Sequence, residues 1–263
     1  MPNAGEIEAR LFQFAPGEGA MEWDNVGLLV GDPEQPVERV LVALDITRGV
    51  VDEAIVSGCQ LIVAHHPVIN CRWLPVQNIR EDTPQGRLLR KMMRHDISAI
   101  CMHTNLDVAW AGVNDALADA LGLGDAQPLC ENGLGRIGEL PEPVALSDFV
   151  RYVSQALHCN GLRYADAGKP VRRVAVGGGA CGEFIGAAIG AGCDTYVTAD
   201  LSYHQFLDAG DQGINLLDAG HFPTEDPVCA RLVDYLSREF PQLCVFKSAS
   251  HREVIQYYVE GEN

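Results

Sequence analysis

Two adjacent imidazoles interrupt an apolar run at IVAHHPVI (62–69), where His65 and His66 are followed at once by Pro67. HTNLD (103–107) closes another such run with His103, Asn105 and Asp107, and LLDAGHFPTE (216–225) closes a third with Asp218, His221 and Glu225. Asp45 ends RVLVALDI, and VTADLSYH carries Asp200 and His204. Neutral imidazole combined with carboxylates suits zinc, iron, manganese, nickel or cobalt, whereas magnesium and calcium prefer all-oxygen shells. Neighbouring residues at a strand end point in different directions, and a residue before proline is held extended. His65 and His66 therefore serve two metal ions more naturally than one. Glu225, four residues after His221, has the reach to bridge such ions, which points to a dinuclear site with a bridging water as nucleophile. A single histidine at a strand end is more simply a hydrogen-bonded structural residue. Three motifs of this kind, each closing a predicted strand, favour metal.

Other residues invite competing chemistry. GGGACG (177–182) fits G-x-G-x-x-G, follows a predicted strand and has Asp200 at the end of the next one, which taken locally is a dinucleotide fingerprint. It lies late in the chain and leaves the downstream His and Glu unexplained. A tight turn with close backbone approach is the better reading, and a phosphate-binding role for its amides stays open. His95, His158 and His251 fall on predicted helices or away from strand ends and read as surface or capping residues. Lys169, Arg172 and Arg173 read as a solvated basic face rather than a phosphate contact. Trp23 and Trp110 flank the candidate motifs, with core packing the simpler account and a pocket wall the other. No G-x-S-x-G and no Ser–His–Asp order is present.

The elements that must position these residues alternate. Strands are predicted at 39–46, 60–66, 97–104, 171–179, 194–200, 214–220 and in the terminal runs LCVFKS and IQYYVE. Helices are predicted at 49–59, 83–95 (with Thr83 as cap), 112–123, 146–157 and 226–240, and in GEFIGAAIGAG and HQFLDAG. Continuous apolar strands alternating with helices imply parallel, doubly covered sheets, and open sheets of this class bind ligands beyond the carboxyl ends of their strands. Residues 125–145 are rich in Gly, Pro and acidic side chains and read as a long connection. The expected organisation is a first α/β domain at 1–126, to which strands in 243–263 return, and a second at 127–242, with the metal site between them.

Composition narrows the function classes. The 263 residues suffice for two α/β domains, and 47% hydrophobic with 21% charged residues is ordinary for a globular enzyme. A net charge of -17 excludes a non-specific nucleic-acid binder and repels anionic substrates unless bound cations reverse the local field. No stretch has the length of a membrane span. MPNAGEIEARLFQF lacks the layout of a signal peptide, and nine scattered cysteines without a C-x-x-C pair read as reduced thiols. The cytoplasm is the expected compartment.

WDNVGLLVG (23–31), AHHPV (64–68), HTNLDVAWAGVNDALA (103–118), DTYVTADLSYH (194–204) and DAGHFPTE (218–225) resemble the GTP cyclohydrolase 1 type 2 family, also called the NIF-three-like proteins. The motifs run in order from about residue 20 to 240. Residues 125–170 leave no room for the inserted domain of longer relatives, so the resemblance is to a short form. It implies a duplicated three-layer α/β/α architecture with mainly parallel sheets, a ring-shaped homohexamer and two divalent metal ions per chain, with iron, zinc, manganese and nickel as candidates. By position in the motifs, His65 and Asp107 would hold one ion and His66 and His221 the other, with Glu225 bridging and His103 as a proton shuttle. Cys181 and Ala199 stand where many relatives would carry glycine. The function so implied is metal-dependent hydrolysis of a small molecule: opening of a nucleotide ring as in GTP, or cleavage of a related C–N or phosphoester bond. A metal-binding regulatory or scaffold ring without turnover is the rival class, and a nicotinamide oxidoreductase a third.

Overall fold

A computed structural model of the chain describes residues 1–69 and 78–258. Along the chain come α1 (Ala4–Phe14), β1 (Gly27–Val30), β2 (Arg39–Ala43), α2 (Arg48–Val56), β3 (Leu61–Ala64), α3 (Pro84–Arg94), β4 (Ser98–Cys101), α4 (Thr104–Val108) and α5 (Val113–Ala120). These are followed by β5 (Gly124–Pro128), β6 (Arg136–Val144), α6 (Leu146–Ala156), β7 (Arg163–Ala165), β8 (Val171–Val176), α7 (Ile185–Gly190) and β9 (Thr195–Thr198). The last elements are α8 (Tyr203–Gln212), β10 (Asn215–Asp218), α9 (His221–Glu225), α10 (Pro227–Glu239) and β11 (Cys244–Lys247). Two compact units result, one of Met1–Gly112 with Val228–Arg252, the other of Val113–Pro227 with the residues from Glu253 on.

The first unit is built on a five-stranded sheet in the order β1-β4-β3-β2-β11. Its four inner ladders are parallel except for the antiparallel pairing of edge strand β1 with β4. Every residue of β3 and β4 is buried, as expected when both faces of a parallel sheet are covered. On one face Leu41, Ala43, Ile62, Ala64, Ala99 and Cys101 pack against Val50, Val51 and Ala54 of α2 and Leu89 and Met92 of α3. Local chemistry starts these helices. Thr83 accepts from the Gly86 amide ahead of Pro84, and Asn3 with Glu6 forms a reciprocal capping box. The strand expected in LCVFKS is β11, which returns to pair with β2. IQYYVE, by contrast, is not a strand over residues 255–258, and its last two residues lie outside the described ones.

The second unit carries a six-stranded sheet, β5-β6-β8-β9-β10-β7. Only β8, β9 and β10 run parallel, while β5, β6 and β7 join antiparallel, so this sheet is mixed. Three layers are visible in its burial. Val174, Val176, Val197 and Leu217 pack on Phe149 and Val153 of α6 and Leu117 of α5, whereas Ala175, Tyr196 and Leu216 pack on Ile185, Ala188 and Ala209 of α7 and α8.

Residues 125–145, read from their Gly and Pro content as a connection, supply β5 and β6 instead. Gly133 and Gly135 lie in the turn of the hairpin, and Gly138 lies within β6. Pro141 and Pro143 fall where the register of β6 on β8 shifts between Glu139 and Val144, the kind of irregularity that tolerates a residue without an N–H, and Pro128 ends the edge strand β5. The unit boundary falls at Gly112/Val113 rather than near residue 126. Asp115 on α5 forms a two-pronged ion pair with Arg136 at the start of β6, at 2.8 and 2.6 Å, which ties that helix to the second sheet. Helix α10 joins the first unit because Tyr235 stacks on Phe14 of α1 at 4.6 Å and donates to the Arg10 carbonyl.

Arg136 is 1% exposed, and its guanidinium also donates to the carbonyls of Gly133 and Gly135. Its removal takes this guanidinium from Asp115 and from two carbonyls. We expect Arg136→Ala to cost about 3 kcal/mol or more in urea unfolding; a loss below about 1 kcal/mol would mean the pair is not what holds α5 to the sheet.

Candidate functional site

Register assembles the histidines of the first unit. Ala43 of β2, Ala64 of β3 and Cys101 of β4 are level across the parallel ladders, so Asp45, His65–His66 and His103 leave the sheet at one edge. His65 is fully buried and His103 nearly so. Ring centroids are 4.8 Å apart for His65 and His66, 5.2 Å for His65 and His103, and 5.6 Å for His66 and His103. The three rings each offer a nitrogen within 4.8 Å of the others, close enough to hold a metal ion. Asp107, on the single turn of α4, brings a carboxylate oxygen to 3.6 Å from His65 Nε2. Thus His65, His66, His103 and Asp107, all singled out by the sequence, meet in this unit.

Each ring is wired from behind. His65 Nδ1 lies 2.8 Å from the Met102 carbonyl. A carbonyl only accepts, so that nitrogen carries a proton and Nε2 is the one left to face the cluster. His66 Nδ1 donates to Asp45 at 2.7 Å, and His103 Nδ1 donates to Asp24 at 2.8 Å. Asp24 also accepts from the Thr104 amide, which caps the start of α4. Burial opposes its charge, yet the bonds from His103 and Thr104 win and hold the carboxyl at about 2. Asp45 is likewise held far below the usual carboxylate range, burial being outweighed by bonds from His251 and His66.

In the second unit the register again gathers the candidates. Val176, Val197 and, one step on, Thr198 with Asp218 are level across β8, β9 and β10. Beyond those ends lie Gly177–Gly179, Asp200 and the short helix α9. His221 and Glu225 sit four apart on α9, hence on one face, with His221 Nε2 at 3.1 Å from a Glu225 oxygen. Its Nδ1 donates to Asp200 at 2.7 Å. Burial disfavours the charged ring, but the bonds to Asp200 and Glu225 lift the His221 pKa to about 11. Asp200 is lowered, chiefly by the His221 bond. Asp218 accepts from the amides of Leu201 and Gly220 and pairs with Arg163, so it shapes the turn ahead of α9. His204 is exposed on α8.

The glycine run has a different use from the one its pattern suggests. The Gly177 amide donates to Val197, Gly178 to Asn114, Gly179 to Thr224, and Cys181 to Gly179 and Thr198. These donors are committed within the unit, which removes the cradle a pyrophosphate would need, and the helix that follows is only six residues long. A Cβ at Gly179, whose φ is +66°, would lie 2.1 Å from Glu225 Oε1 and 3.1 Å from His221 Nε2. The backbone is bare there so that it can pass against the Glu225–His221 pair.

Several other expectations change. His251 is not a surface residue, because its Nε2 lies 2.9 Å from the second oxygen of Asp45 and its side chain is 8% exposed. Asp24 lies within WDNVGLLVG, between an exposed tryptophan and the start of β1. No local spacing signals either residue, since their partners lie 79 and 206 positions away. Trp23 and Trp110 are 45% and 63% exposed rather than core residues, and Trp23 stands edge-on to His103 at 6.0 Å. Arg172 and Arg173 share the single carboxylate of Glu139 and stay about half exposed, in keeping with a solvated basic face. His95 ends α3 and His158 is exposed, as expected.

Whether these residues fit a metal turns on their donor chemistry. Metal-bound histidines almost always give their second nitrogen to a carboxylate or carbonyl. His65, His66, His103 and His221 all do so through Nδ1. They fit.

Comparison with known proteins agrees with the motifs. The family model Duf34/NIF3 (NGG1p interacting factor 3) matches residues 2–253. A Clostridium acetobutylicum protein named GTP cyclohydrolase 1 type 2 homolog is 36% identical over 222 residues, spanning 81% of this chain and 82% of its own. A relative of the same name from Bacillus subtilis is 29% identical, spanning 84% of this chain and 88% of its own; that alignment runs over 332 residues, so it carries segments without a counterpart here. The crystal structure of a Bacillus cereus protein related to NIF3 superposes with a TM-score of 0.89 at 27% identity, covering 98% of this chain and 99% of that one. No helix among the described residues is long and apolar enough to cross a membrane.

The Asp24 wiring has a pH signature. Its folded pKa of about 2 lies below its ordinary 3.8, so its stabilisation is complete above about pH 4 and drains away as the pH falls toward 2. We expect about 2 kcal/mol of unfolding free energy to be lost across that window and Asp24→Asn to remove most of the loss. Identical acid limbs for the two proteins in urea unfolding would contradict it.

Proposed function

This chain belongs to the Duf34/NIF3 family, and from that premise we propose that it is a metal-dependent hydrolase using two divalent ions, with His65, His66, Asp107, His221 and Glu225 as their donors. The observation that supports this reading is the common wiring of the imidazoles, each anchored through Nδ1 and presenting Nε2. Histidines placed for structure alone have no reason to share that polarity. When bound, divalent ions would acidify a water and polarise the bond under attack.

The chain's own residues supply the rest. Asp24 stays ionised and holds the His103 ring by Nδ1, so Nε2 of His103 can take up and return a proton at the reacting group. Asp107 and Glu225 bring negative charge among the imidazoles, which favours a doubly charged cation that would take the place of the proton His221 holds against Glu225. Gly179 keeps the backbone clear of the Glu225 carboxylate. The name borne by the relatives makes opening of the purine ring of GTP the first reaction to try, with a related C–N or phosphoester bond next. A net charge of -17 makes bound cations a requirement for holding any nucleotide. A cytoplasmic homohexamer completes the reading.

Two variants test it. Glu225→Gln, purified without chelators, should lose most of its bound metal with its far-ultraviolet dichroism unchanged; full retention would sink the ligand role of Glu225. His103→Ala should keep the wild-type metal content while hydrolysis falls by about 100- to 10,000-fold. Loss of the metal would make His103 a ligand, and unchanged turnover would remove it from proton transfer.

A further inference from the structure

The turn that follows β11 is clamped onto α2 by one carboxylate. Glu53 accepts from the amides of Ala249 and Ser250, at 2.9 and 3.1 Å, and from the hydroxyls of Ser248 and Ser250, at 2.5 and 2.6 Å. The Ser248 amide extends the pairing with β2 by donating to the Val42 carbonyl at 2.7 Å, and the His251 amide donates to the Ser248 hydroxyl at 3.2 Å. Backbone and side-chain bonds together therefore fix where residue 251 leaves this turn. Its imidazole ends at Asp45, on the oxygen that His66 does not use.

A carboxylate with one hydrogen-bonded partner can still turn its plane about the bond to Cβ. With an N–H on each oxygen, at 2.7 Å from His66 and 2.9 Å from His251, the plane of Asp45 is fixed, and with it the direction in which the His66 ring points. We propose that His251 is a positioning residue for the metal ligand His66, acting through Asp45 from a turn held by Glu53. The inference rests on the reading of His66 as a ligand and extends it to a residue 206 positions away. If His251 served only to stabilise the half-buried carboxylate, its loss would lower stability and leave metal affinity alone. If it positions His66, the two effects separate. Outer partners of this kind tune metal affinity by about 10- to 100-fold.

The experiment is calorimetric titration of chelator-treated protein with Zn2+, run on wild type, His251→Leu, His251→Gln and Glu53→Gln, with thermal melts of each metal-free protein alongside. Gln keeps an N–H at nearly the place of Nε2. Wild type should take up two equivalents. His251→Leu should weaken one of them by about 10- to 100-fold and leave the other unchanged. His251→Gln should restore most of that loss, and Glu53→Gln should weaken the same equivalent to a smaller degree. The Glu53 variant keeps the question answerable if His251→Leu does not fold. Affinities in His251→Leu within twofold of wild type for both equivalents would overturn the inference alone, as would equal losses in the Leu and Gln variants or a parallel fall of both equivalents with the melting temperature. A wild-type protein that takes up no metal would overturn the reading of the site and this inference with it.

Discussion

One interaction recurs at every site histidine: the Nδ1–H given to a fixed oxygen behind the ring. Imidazole can present either nitrogen, and in water it presents both in turn. Here the Met102 carbonyl and the carboxylates of Asp45, Asp24 and Asp200 settle the choice in the same sense each time. The cost is three anions brought to the ends of strands, in a chain already at -17. Backbone capping and imidazole donors offset that cost, which is why Asp24 and Asp45 sit so far toward the ionised form despite burial. The proposed cation-binding role gives this arrangement a use, since carboxylates and carbonyls behind the rings are the usual partners of metal-bound histidines.

The sheets exist in this account to hold those oxygens and rings level. Parallel pairing puts the ends of β2, β3 and β4 in register, so residues far apart in sequence emerge side by side without any long loop to order. The same device acts at β8, β9 and β10. It demands dry faces on both sides of the sheet, and the strands answer with runs such as LIVA and TYVT that are buried throughout. Close packing at the strand ends then restricts what can pass there. Gly179 runs against Glu225 with no space for a methyl group.

What was legible in the sequence was what is local. HHP, HTNLD and GHFPTE mark the clusters that the structure assembles because donor types and strand ends coincide within a few residues, and the parallel cores announce themselves by apolar runs. What was illegible depends on partners chosen by the fold. His251 has no neighbour in sequence that explains it, and its role emerges only when β11 returns to β2 and Glu53 clamps the turn. Asp24 is explained only by His103 across the unit. GGGACG misleads because a glycine needed for clearance and a glycine needed for phosphate look alike; the hydrogen bonds of its amides separate them. The hairpin of β5 and β6 hid for the related reason that Gly and Pro mark turns and edge irregularities as readily as connections.

The most direct measurement is anomalous diffraction from crystals of the metal-loaded protein, recorded on either side of the absorption edge of the bound element. The account predicts anomalous peaks about 2.0–2.2 Å from Nε2 of His65, His66 and His221 and none at any Nδ1. Metal held through Nδ1, or no peak beside these rings in protein exposed to excess metal, would contradict it.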